Sequence, residues 1–206
     1  MKKAQNAEEY IARQKEMISS NPDCGTAYYN LGVALLGQEK YEAAEKELKE
    51  AIRMSPNMAE AYVQLGGLCL RRGDLDGCFA YNKEATKVRA GFFEGHGNMG
   101  FVHLQRGEVE KAISALQKAI KYNSNFIQGY ATLASAYLMA GLVDESIAAS
   151  LKCLKIEPDF AVAYNNLAIG YMEKKEYAKA ATNLDKAEEL GYEVSAELRK
   201  EIEEHR

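Results

Sequence analysis

The residues that could do chemistry are few, and their spacing limits what each could do. Gly95-His96-Gly97-Asn98-Met99-Gly100 has the G-x-G-x-x-G form of a dinucleotide fingerprint. That motif works between a strand and a helix N-terminus, where backbone amides cradle a pyrophosphate. No strand precedes these glycines, and the apolar spacing around them is helical, so the motif loses its mechanism. Cys69, Cys78 and His103 are the residues nearest to a metal-ligand set, but a closed zinc site takes about four ligands and no fourth accompanies them. They read as small core residues. His96 and His103 occupy apolar-face positions and His205 is penultimate, so no nucleophile has a base at a plausible spacing. Carboxylates such as Glu42, Glu45 and Glu47 fall in the pattern of a solvated helix face. These residues point to no enzyme, no metal and no cofactor.

The background composition agrees with a binding or structural role. The 206 residues are 47% apolar and 27% charged, with three prolines and no tryptophan. Abundant Ala, Leu, Glu and Lys favour helix. A net charge of −4 and a pI near 5.6 argue against a nucleic-acid partner, which calls for a basic face. No stretch reaches the roughly 18 apolar residues of a membrane span. Met1-Lys2-Lys3 is followed by polar residues where a signal peptide would turn hydrophobic, which reads as cytoplasmic. The four cysteines form no CxxC pair and are expected to be free thiols.

The elements that carry these residues follow from a period. Pro22 and Pro56 are 34 residues apart, and Pro158 lies three further periods on. Leu36, Leu70, Leu104 and Leu138 keep the same interval, with Met172 completing the series. Ala51, Ala85, Ala119, Cys153 and Ala187 make a second ladder of small residues. A period in the range of about 20–50 residues marks a solenoid, whose units bury their apolar faces against their neighbours. Within the first unit, Tyr28, Leu31, Gly32 and Leu35 have helical spacing. A break follows at Gly37-Gln38-Glu39-Lys40, and Ala44, Leu48, Ala51 and Ile52 mark a second helix ending at Ser55-Pro56.

Tyr28, Leu31, Gly32, Leu35, Ala44, Leu48 and Pro56 resemble, almost position by position, the signature of the tetratricopeptide repeat: an aromatic, Leu-Gly, Tyr, Ala, an apolar residue and Pro. Tyr130, Leu133, Ala134, Tyr137 and Pro158 repeat it, as do Tyr164, Leu167, Ala168, Tyr171, Ala180 and Leu184. The second and third units depart, with Cys69, Cys78 and Asn82 in one and His96, Met99 and His103 in the other. The resemblance implies an all-α fold, a right-handed α-solenoid of helix–turn–helix repeats at 25–58, 59–92, 93–126, 127–160 and 161–194. Residues 1–24 then form an N-terminal capping helix in the register of a second helix, and 195–206 a C-terminal one, the whole being a single domain of about twelve helices.

The same resemblance places repeat positions 2, 5, 9, 12 and 13 on a concave groove. Of these 25 residues only Glu60, Arg71, Glu94 and Glu173 are charged, and 13 are apolar. The expected partner-binding residues are Tyr29, Val33, Leu36, Val63, Leu70, Arg71, Phe101, Leu104, Leu138, Ile169 and Met172, with Phe101 central. Gly67, Gly97 and Ser135 lie between them as hollows. The Lys and Asn clamp that some members use on chaperone C-termini is absent, since the matching positions hold Tyr29, Val33, Gln64, Glu94 and Asn98. The function expected is a non-enzymatic adaptor or chaperone-like module holding an apolar or amphipathic protein segment. The competing reading is a scaffold that oligomerises through the groove or the terminal helices.

Overall fold

The computed structural model describes residues 2–205, with side chains from residue 7 onward. Among the described residues there are twelve helices and no strand. They are α1 (Lys2–Ser20), α2 (Gly25–Leu36), α3 (Tyr41–Met54), α4 (Ala59–Arg71), α5 (Leu75–Val88) and α6 (Phe93–Gln105). The rest are α7 (Val109–Tyr122), α8 (Ile127–Met139), α9 (Val143–Ile156), α10 (Ala161–Glu173), α11 (Tyr177–Glu189) and α12 (Ala196–Glu203). The all-α helical-repeat fold expected from the period is the fold observed. The chain forms two compact units, one ending at Asn98 and the next beginning at Met99, inside α6.

In the first unit α2 packs on α3 and α4 on α5 as hairpins, α3 packs on α4, and α1 packs on α2. In the second, α8–α9 and α10–α11 are hairpins, with α7 on α8, α9 on α10 and α12 on α11. Each hairpin closes through a pair of small-residue ladders on its second helix. Ala44, Cys78, Ala112, Ser146 and Ala180 are buried, and so are Ala51, Ala85, Ala119, Cys153 and Ala187. Opposite them the first helix also carries small residues. A Cβ on Gly32 would lie 2.7 Å from Leu48 Cγ, and one on Gly100 would lie 2.6 Å from Leu116 Cγ. The glycines are there because the helices approach too closely for a side chain.

The turn between the helices of a hairpin is the same in all five repeats. The residue at the same repeat position in every turn has positive φ: Glu39 at 59°, Gly73 at 76°, Gly107 at 71°, Gly141 at 72° and Lys175 at 59°. The next amide then reaches back to a carbonyl five residues earlier: Lys40 to Leu35 at 3.0 Å, Asp74 to Cys69, Glu108 to His103, Leu142 to Tyr137 and Glu176 to Tyr171, each 2.9 Å. This is a left-handed helix cap that satisfies the terminal carbonyls.

α1 lies against the first hairpin. Ile11 and Ile18 pack against Leu31, Leu35 and Ala44. At the other end α12 covers the last hairpin, with Val194 and Ile202 buried alongside Leu184 and Ala187. Its cap is Ser195, whose hydroxyl accepts from the Leu198 amide at 3.2 Å.

Candidate functional site: the first-helix face

In the first unit the face is built by α2, α4 and the start of α6. Val33 is 38% exposed, while Tyr29 and Leu36 are half-buried against Leu48, Leu65 and Leu68. Val63 leans on Ala59, Ala85 and Phe92. Burial, and then the nearby carboxylates of Glu60 and Glu94, push the Tyr29 phenol above its ordinary range. Glu60 is held by Arg89 at 2.6 Å, and Arg89 in turn lies over the Phe92 ring. Glu94 Oε2 is buried and accepts no hydrogen bond among the described residues. Arg71 does not project freely: its guanidinium lies 3.7 Å from the Tyr41 ring centroid. A Cβ added to Gly67 would meet nothing within 4 Å, so open space lies over this exposed glycine.

In the second unit the face centres on α8. Phe101, Leu104, Gln105, Gln128, Ala131, Thr132, Ser135, Met139, Phe160 and Val162 line a hollow of about 550 Å³, with no charged group among them. Met139 on its rim is 58% exposed. Phe101, Leu138 and Ile169 are half-exposed. Leu104 and Met172 are each only 8% exposed. They belong to the cores around Leu116 and Leu184 respectively, so they support this face from beneath and offer little free surface. Position 12 of the repeat points towards the neighbouring helix as much as towards solvent.

The glycine motif lies wholly within α6, as its spacing requires. Its glycines answer to packing: a Cβ on Gly95 would stand 2.9 Å from Thr86 Cγ2, and Gly100 faces Leu116. His96 Nε2 is 2.9 Å from the Ala90 carbonyl, and His103 Nδ1 is 2.5 Å from Glu108 Oε2. Both histidines are half-buried rather than fully core. Among the described residues no three His, Cys, Asp or Glu side chains gather as a metal site. The four cysteines are free thiols. Cys69 Sγ lies 3.6 Å from Arg72 Nη2, and Cys78 Sγ lies 3.5 Å from Asn82 Nδ2.

A set of buried polar pairs was not read from the sequence. Asn30 donates to Gln14 at 3.5 Å, Asn98 to Asn82 at 2.9 Å, and Asn166 to the Ala131 carbonyl at 3.1 Å and to Ser135 at 3.2 Å. Asn30, Asn98 and Asn166 are 68 residues apart, twice the repeat. The second-helix core position alternates with them, polar at Gln14, Asn82 and Ser150 and leucine at Leu48, Leu116 and Leu184. Comparing odd with even repeats was the signal that would have revealed it. Position 9 shares the alternation, large at Val33, Phe101 and Ile169 and small at Gly67 and Ser135.

Helical hairpins with this turn, these ladders and this interval define a helical-repeat interaction scaffold. Sequence profiles described as tetratricopeptide repeat match residues 4–47, 29–90, 93–126 and 127–160. The chain belongs to the tetratricopeptide-repeat family, whose members are generally non-enzymatic protein-interaction modules. Among solved structures it is similar to YrrB, described as a TPR protein with an unusual peptide-binding site, at 19% identity and TM-score 0.72, covering 93% of this chain and 97% of that one. It is also similar to MamA, at 25% identity and TM-score 0.67, covering 83% and 96%. The pilF protein of Pseudomonas aeruginosa shares 14% identity at TM-score 0.83, covering 99% and 92%. No curated protein sequence matches the chain. No described helix is long and apolar enough to cross a membrane.

Proposed function

We propose that this chain is an adaptor whose first-helix face holds an uncharged, apolar or amphipathic segment of a protein partner. The observation that carries the reading is the hollow over Ser135 in the second unit, walled by Phe101, Ala131, Met139 and Val162 and free of charge. An apolar concavity with a few convergent polar groups is the usual form of a recognition site. Gln105, Gln128 and Thr132 supply those groups, and amides can bond a partner's backbone without selecting a charged side chain. Phe101 is the natural anchor, since buried aromatics carry a disproportionate share of binding energy. In the first unit, Val33 and Val63 flank the open space at Gly67. Four free thiols fit a reducing, cytoplasmic setting.

The test is selection of peptides from an unbiased displayed library on the whole chain. The expected winners are rich in aliphatic and aromatic residues, and their binding changes little between low and moderate salt. Ser135→Phe fills the hollow and should abolish capture with unchanged circular dichroism, while the melting temperature falls modestly because Asn166 loses the Ser135 hydroxyl and keeps the Ala131 carbonyl. Phe101→Ala should weaken it by about 2 kcal/mol. Enrichment of strongly charged peptides, or capture indifferent to both substitutions, would refute the proposal.

A further inference from the structure

α1 stands in the register of a second helix, and among the described residues no first helix pairs with it. Tyr10 aligns with the ladder of Ala44, Ala112 and Ala180, and Met17 with the ladder of Ala51, Ala119 and Ala187. In every hairpin both positions are buried by the paired helix, whereas Tyr10 is 43% and Met17 40% exposed. The neighbouring wall is open too. Ala34 on α2 is only half-buried, where its repeat equivalents Leu68, Val102 and Ala136 are buried. Between the walls lies a hollow of about 550 Å³ bordered by Tyr10, Val33, Ala34 and Gly37.

We propose that this face is where two copies of the chain pair, α1 against α1, antiparallel about a two-fold axis. Side-chain size is the first argument. A helix seated as closely as α2 sits on α3 needs Ala-sized residues opposite it; Tyr10 and Met17 hold such a helix away. Across a two-fold axis, though, Tyr10 of one copy falls beside Met17 of the other, and the large side chains interlock. Charge is the second argument. Arg13 and Glu16 share the exposed strip with Met17 and line one hollow with it, and neither is engaged in an ion pair among the described residues. Antiparallel pairing brings Arg13 to Glu16 of the second copy and Glu16 to its Arg13. A parallel pairing would stack like on like. One sequence feature thus supplies two ion pairs, as an isologous interface requires. The 19 residues of α1 run only about 28 Å, too little to bury the roughly 800 Å² per partner of a stable complex. The dimer is therefore weak, with a dissociation constant on the order of micromolar. It uses a different surface from the Ser135 hollow and stands or falls separately from the adaptor reading.

Sedimentation velocity of the whole chain from about 1 to about 300 μM, a range that brackets micromolar association, tests it. The mass should move from 22.9 kDa towards twice that value. Arg13→Glu and Glu16→Arg should each weaken association by about tenfold, because each puts like charges at both symmetric contacts, and the two together should restore it. Met17→Glu should abolish it with unchanged circular dichroism. A chain that stays monomeric throughout overturns the proposal. So does a dimer indifferent to the charge swap, or one dispersed by Ser135→Phe instead.

Discussion

At the residue scale, α9 holds two hydroxyls in places where α7 and α11 hold aliphatic groups. Ser146 and Ser150 are fully buried, and neither Oγ has a hydrogen-bond partner among the described residues. A buried polar group without a partner costs about 1–3 kcal/mol. Ser146→Ala copies Ala44, Ala112 and Ala180 and should raise unfolding stability by about 1 kcal/mol in urea titration; a loss would show that the hydroxyl is satisfied. Cys153 makes a second case. Burial, with Glu157 adding to it, pushes its thiol from the usual 9 up to about 11. The folded pKa is raised, so the stabilisation is complete below the unfolded value and is lost as pH climbs from 9 towards 11. Cys153→Ala should flatten that alkaline loss. Native thiol labelling should reach half-exposed Cys24 first and leave Cys69, Cys78 and Cys153 slow.

At the element scale, the hairpin turn is a natural experiment. Three repeats place glycine at the left-handed position, whereas Glu39 and Lys175 adopt φ of 59° with a side chain. That conformation costs an L-residue about 1–2 kcal/mol, partly offset by the greater unfolded-state freedom of glycine. Lys175→Gly should therefore stabilise by about 0.5–1 kcal/mol, and Gly107→Ala should destabilise by a similar amount, both read from denaturation midpoints. The Asn82–Asn98 bond ties α5 to α6 inside the first unit, and Asn82 also donates to the Cys78 carbonyl at 2.8 Å. Asn82→Ala removes the acceptor of Asn98, and Asn98→Ala removes the donor to Asn82 Oδ1, so a double-mutant cycle should give a coupling of at least about 0.5 kcal/mol. Additive losses would mean the contact contributes nothing.

At the scale of the whole molecule, a repeat protein is only as cooperative as its weakest neighbour contacts. Gly91, Gly95, Gly97 and Gly100 crowd into ten residues, and each helical glycine costs up to about 1 kcal/mol relative to alanine. Gly95 and Gly100 cannot be replaced to recover it, because Thr86 and Leu116 fill the space. Hydrogen exchange should accordingly be fastest, among the first helices of repeats, in α6. Protection in α6 equal to that of α4 and α8 would contradict this.

What the sequence determined by itself was the period and the kind of element. The helices and the breaks between them follow from 3.6-residue spacing within a 34-residue interval, because each repeat answers mainly to its neighbours. The tertiary structure decided matters that depend on how near the next helix lies. It buried Leu104 and Met172 and laid Arg71 over Tyr41, although position alone had put all three on the binding face. It revealed Glu39 as the counterpart of Gly73, an equivalence that residue type conceals and only the backbone angle shows. It also left Tyr10 and Met17 uncovered. Their spacing reads as an ordinary apolar stripe, and only their exposure in the folded chain shows it as a surface.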